Sequence, residues 1–107
     1  MFRGVTPTYT FIAPDGLDMR QARQVWVTFA TPDEREILTK TGDDVTITEH
    51  TVQVYLTQNE TLRFPTRDVK VQLNWIYQDG LKVKRASSNK FIIKTENNLK
   101  NEVLYAD

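Results

Sequence analysis

From Val69 to Tyr77 the chain alternates without a break: Val69, Val71, Leu73, Trp75 and Tyr77 fall on one parity, and Lys70, Gln72, Asn74, Ile76 and Gln78 on the other. A period of two puts those sets on opposite faces of a pleated strand, whereas a helix would scatter the apolar set around its circumference. A strand with one buried face requires partner strands and a second layer, so this stretch already points to a sheet-on-sheet fold. Composition agrees, since 30 of the 107 residues are Val, Ile or Thr, 14 of them Thr. Their stiff side chains suit a half-buried pleated surface better than a helix. The length supports one domain, 1–107, and with 26% charged and 10% aromatic residues the chain can bury a real core.

Fourteen Lys and Arg balance fourteen Asp and Glu. A general nucleic-acid or membrane-surface binder needs a positive field, so neither partner is expected. There is no cysteine, hence no disulfide framework, thiolate nucleophile or thiolate metal site. No run of 18 apolar residues predicts a membrane span, and Met1 to Ile12 lacks the apolar core and cleavage site of a signal peptide. Synthesis in a cytoplasm is the expectation, and no cofactor is expected.

Along the chain, strands are predicted at Thr8 to Ile12, Arg23 to Thr31, Glu36 to Thr41, Val45 to Thr48, Thr51 to Leu56, Val69 to Tyr77, Leu81 to Arg85 and Lys90 to Thr95. Turn signals separate them at Pro14-Asp15-Gly16, Pro32-Asp33-Glu34, Thr41-Gly42-Asp43-Asp44 and Asp79-Gly80. Leu17 to Gln24 is polar and forms a turn or short helical stretch. Thr57-Gln58-Asn59-Glu60 fits a capping box, which predicts one helical turn that Pro65 stops, with Leu62 and Phe64 pointing inward. Ala86-Ser87-Ser88 reads as a bend or bulge. Seven to eight short strands with one helical turn predict an all-β, immunoglobulin-like antiparallel sandwich, with a small OB-like barrel as the alternative. Met1 to Pro7 is a candidate N-terminal arm and Asn97 to Asp107 a candidate docking tail, both ordering best against a neighbour.

Candidate chemistry is sparse. His50, the lone histidine, reads as a solvated turn residue beside Glu49 rather than a member of a triad. The acidic groups Asp33, Glu34 and Glu36, and Asp43-Asp44, lack the alternating ligand ladder of a calcium loop and read as soluble loops. Leu81 and Val83 are expected to face the core while Lys82 and Lys84 lie outside. With Arg85 and Lys90 they form a basic strip that guards an edge strand, or serves a single-strand nucleic-acid binder. Trp26, Tyr55 and Ile76 oppose the apolar parity of their strands and are interaction candidates, as is Tyr105 in the tail.

Four stretches carry a resemblance: Arg3-Gly4-Val5-Thr6-Pro7-Thr8-Tyr9-Thr10-Phe11, Val54 through Phe64 with its T-Q-x-E-T-L-x-F core, Val71-Gln72-Leu73, and Asn101-Glu102-Val103-Leu104. Together with the small-residue bend at Ala86 to Asn89, they resemble a family of phage and prophage proteins of Gram-positive bacteria. Its members have about 100 residues and are encoded among tail and baseplate structural genes. The DG hairpin, with four basic residues, and the two tryptophans Trp26 and Trp75 depart from it. The resemblance implies a non-enzymatic structural protein in the virion tail, or in the host cytoplasm during assembly. Its partners would be other tail or baseplate proteins and further copies of itself. A carbohydrate-binding or adhesion module using Trp26, Tyr55 or Trp75 is the alternative.

Overall fold

In the computed structural model, which describes residues 1–106, the alternating stretch becomes the longest strand and the centre of the larger of two sheets. The elements in chain order are β1 (Thr8–Ile12), β2 (Ala22–Ala30), β3 (Glu36–Thr41), β4 (Val45–Ile47), β5 (Thr51–Tyr55), α1 (Gln58–Leu62), β6 (Val69–Asp79), β7 (Lys82–Ser87) and β8 (Phe91–Ile93). Short 3-10 turns occupy Met19–Gln21 and Gly42–Asp44. Every strand pairing is antiparallel. One sheet runs β1-β5-β4; the other runs β3-β2-β6-β7, with β8 also on β6. The two sheets share no strand, so the chain is a sandwich and not a closed barrel.

The core is the inner face predicted by parity. Val25, Val27 and Phe29 of β2 and Val69, Val71 and Leu73 of β6 are buried against Val52, Val54 and Leu56 from the opposite layer. Each such side chain contributes about 1.5–3 kcal/mol relative to exposure. Phe64 closes one end of the core, its ring centroid 5.5 Å from that of Phe29. It is delivered there by α1, whose capping box forms: the Thr57 hydroxyl accepts from the Glu60 N–H at 3.3 Å, and Glu60 Oε1 accepts from the Thr57 N–H at 2.8 Å.

β7 and β8 lie on the same side of β6, pairing with its C-terminal and N-terminal halves in turn. Ser88 bridges the break: its N–H bonds to the Leu73 carbonyl, its hydroxyl accepts the Leu73 N–H, and its carbonyl accepts from the Gln72 side chain. The bend expected at Ala86-Ser87-Ser88 is therefore a stitched interruption within a sheet edge.

Two expectations change. The hairpin loop is Gly80-Leu81, flanked by the pair Asp79↔Lys82, and not Asp79-Gly80. Gly80, at φ 63°, holds the first loop position, as a type II′ turn requires. Any two-residue loop here pairs even-numbered residues of β7 with odd-numbered residues of β6, so the expected faces of β7 are reversed: Lys82 and Lys84 share the face of Tyr77, while Val83 and Arg85 share that of Gln78 and Ile76. Leu81 and Val83 do not reach the core; Leu81 is fully exposed and Val83 half exposed, because the end of this hairpin extends past β2, whose pairing with β6 ends at Tyr77.

The second change is in the N-terminal arm, which is docked on the chain itself. The Arg3 N–H bonds to the Glu96 carbonyl, Phe2 bridges Glu96 in parallel, and the Leu56 N–H bonds to the Pro7 carbonyl. The buried Thr61 hydroxyl accepts the Gly4 N–H at 2.9 Å and donates to the Val5 carbonyl at 2.8 Å. Gly4 sits at φ 87°, and a Cβ there would lie 3.3 Å from the Leu62 side chain.

Candidate functional site

The outer face of the five-stranded sheet gathers more of the candidate residues than any other surface. β2 turns Trp26, Thr28 and Ala30 outward, and their partners across β6 are Asn74, Gln72 and Lys70. β3 adds Thr39 and Glu36, and β7 adds Arg85 opposite Ile76. Two adjoining depressions of about 340 and 390 Å³ cover this face and share Thr28, Glu36, Asn74 and Arg85. Trp26 and Ile76 line the first; Glu34, Lys70 and Lys90 line the second.

The polar side chains hold one another in place. Asn74 Oδ1 accepts from Arg85 Nε at 3.2 Å and Nη2 at 2.9 Å, and from the Ser87 hydroxyl. That leaves the Asn74 amide hydrogens turned to other uses. The Thr28 and Thr39 hydroxyls bond across the strands at 3.0 Å. At the other end Glu34 sits at φ 67°, a backbone region unusual for a side chain of this size. Its carboxylate pairs with Lys90 and, at 3.7 Å, with Lys70. The hydrogen bond from Lys90 and the charge of Lys70 hold the Glu34 carboxyl below its ordinary range. Glu36 has no ion-pair partner among the described residues.

The face thus offers an indole, a flat amide, a guanidinium, an unpaired carboxylate and hydroxyls, which suits recognition by stacking and bidentate hydrogen bonds. His50 is remote from it, exposed on the β4–β5 loop with Nε2 3.6 Å from Glu49. Among the described residues no group of three His, Asp or Glu side chains is placed to hold a metal, and no helix is long and apolar enough to cross a membrane.

Of the eight interaction candidates, Trp26, Ile76, Arg85 and Lys90 meet here. Tyr55 is half exposed on the outer face of the smaller sheet, and Tyr105 is exposed in the C-terminal segment. Lys82 and Lys84 lie on the projecting hairpin, where Lys84 pairs with Asp79 at 2.6 Å. The basic residues therefore form no single strip: Lys84, Arg85 and Lys90 each have a different partner and direction. Trp75 and Tyr77 are half buried, with Leu17, Met19 and Ala22 lining the same small hollow. Sequence reasoning passed over Asn74, Thr28 and Thr39, although the outward parity that selected Trp26 and Ile76 also selects them.

A second hollow, of about 330 Å³, opens between the two sheets at one edge of the sandwich. Phe11, Ile12, Met19, Trp75 and Phe91 supply apolar walls, and Ser87, Ser88 and Asn89 a polar rim. Phe11 and Phe91 face each other across the layers, with centroids 5.3 Å apart. Comparison with family models, with curated proteins and with solved structures gave no match for this chain.

Proposed function

We propose that this chain is a non-enzymatic structural protein of the phage tail or baseplate kind that its sequence resembles, working through protein–protein contacts. The observation that carries the contact role is the β6–β7 hairpin. Its end projects with Leu81 fully exposed and Val83 half exposed, two adjoining apolar side chains that a neighbour would bury. The paired Trp26 face and the exposed Tyr55 and Tyr105 extend the available contact area.

We also infer an immunoglobulin-like sandwich. With β1 to β7 lettered B, C, C′, D, E, F and G, the sheets run B-E-D and C′-C-F-G, the order of that architecture without its first strand. The N-terminal arm, bridging residue 96 in parallel, lies beyond the last strand.

Affinity capture of the tagged chain from cells producing the phage, followed by protein identification, tests the function. Co-purification with tail or baseplate proteins is expected, weakened by Leu81→Asp/Val83→Asp; a chain that brings down none of them overturns it. Saccharide binding in the outer groove is the second reading, favoured by Trp26 beside the unspent Asn74 amide and Glu36 carboxylate. On a glycan array it requires a signal that Trp26→Ala abolishes.

A further inference from the structure

The hollow between the sheets and the C-terminal segment are each incomplete in one chain. On the acceptor side, β1 is an edge strand, bonded only to β5. Ile12 at its end is 80% exposed, and the apolar hollow opens directly beside it. A free strand edge next to a pocket is the arrangement by which sheets take up an extended segment: the backbone joins the edge and a side chain fills the pocket.

On the donor side, residues 97–106 follow the docked stretch at Glu96 in no regular helix or strand. They expose Leu99, Leu104 and Tyr105, at 105%, 56% and 86%. Past the bond from the Arg3 guanidinium to Asn97 Oδ1 at 2.9 Å, one clasp holds the segment: the Gln58 side-chain amide donates to the Leu104 carbonyl at 2.9 Å and accepts the Leu104 N–H at 2.7 Å. Exposed hydrogen bonds such as these are easily exchanged for others. The segment carries one lysine and one glutamate, Lys100 and Glu102, paired with each other at 2.6 Å. A segment with no net charge and exposed leucines matches a hollow whose lining holds no charged residue.

We propose that the C-terminal segment of one copy adds to the β1 edge of a second copy, with Leu99 or Leu104 seated in the hollow between the sheets. Reach is sufficient: ten extended residues span about 33 Å, whereas the five of β1 span about 17 Å. The segment also leaves the body just after β8, whose Phe91 forms a wall of the same hollow. In a two-fold pair each copy gives a segment and receives one. That engages about twenty residues per copy, the number found on each side of a stable interface.

The proposal rests on the contact role given above, and sedimentation of the full chain tests it separately. A concentration-dependent dimer is expected, and Leu99→Asp/Leu104→Asp should weaken it by about a hundredfold while leaving the fold unchanged, since both positions are exposed. A peptide of residues 97–106 added to that labelled double variant should shift the amide resonances of Phe11, Ile12 and Ser88. A wild-type chain that stays monomeric at its highest soluble concentration overturns the proposal, as does a dimer indifferent to the double substitution or a peptide that shifts other amides. A monomer that still captures tail proteins would remove the exchange and leave the contact role standing.

Discussion

The two ends of this chain look alike in sequence and are treated differently by the fold. Met1 to Pro7 and Asn97 to Asp107 are both short and only partly apolar, and both lean on the same five-residue helix. The first is bound to α1 through a fully buried hydroxyl, with the Thr61 side chain joining the Gly4 N–H to the Val5 carbonyl and Arg3 reaching the Leu62 carbonyl. The second touches α1 through the exposed amide of Gln58. Hydrogen bonds made in a dry environment are costly to break, since each group left behind cannot turn to water; exposed ones are replaced by solvent at little cost. Burial of the bonding groups, rather than the hydrophobicity of the segment, separates a docked terminus from a loosely held one.

That contrast predicts unequal effects. Deleting Met1 to Pro7 should lower the unfolding free energy by about 3–5 kcal/mol, since eight hydrogen bonds worth about 1 kcal/mol each go, partly offset by the entropy released. Deleting residues 97–107 should cost less than about 1 kcal/mol in the monomer; urea titrations that show equal losses would break the distinction.

Glu60→Gln comes next, because Glu60 closes the capping box and pairs with the buried Lys40 at 2.6 Å. Burial alone would push the Glu60 carboxyl up, but hydrogen bonds from Lys40 and the Thr57 N–H outweigh it and hold it below its usual 4.5. A depressed folded-state value contributes stability above pH 4.5 that is lost as the pH falls through that value. The variant should therefore lose about 2–3 kcal/mol at pH 7 and show a flatter acid limb in stability against pH. Thr61→Val should cost about 2 kcal/mol, by leaving the Gly4 N–H and Val5 carbonyl without their partner. Gln58→Ala is the smallest, within about 0.5 kcal/mol, yet the Leu104 amide should lose its protection from hydrogen exchange.

Local rules of sequence account for much of the fold. Parity fixed the inward faces of β2, β5 and β6, and the T-x-x-E spacing located α1 to the residue, since both depend on neighbours three or fewer positions away. The faces of β7 were misjudged because its apolar side chains were assigned inward by type; a two-residue loop in either register sets Lys82 and Lys84 on the Tyr77 face and Val83 and Arg85 on the Ile76 face. Docking of the arm was hidden for a different reason. Its partners, Thr61 and Glu96, lie 57 and 93 residues from Gly4 and Arg3, and no local pattern encodes such a meeting. The outer groove was legible only in part: Trp26 and Ile76 stood out as apolar residues on a polar parity, whereas Asn74 and Thr28 look like ordinary outward residues until Arg85 and Thr39 are seen across the strands.

The bond between Arg3 and Glu96 also has a bearing on the order of events at the ribosome. Arg3 waits until 93 further residues have emerged before its backbone finds a partner, and β6 waits likewise for β8 to complete its N-terminal half. Pairings this distant must close long loops before any stabilisation is gained, which slows folding. Until β8 has emerged, the nascent chain therefore carries the N-terminal half of β6 with one edge unpaired. That interval is when this protein is most exposed to aggregation, and when a chaperone would have the most to hold.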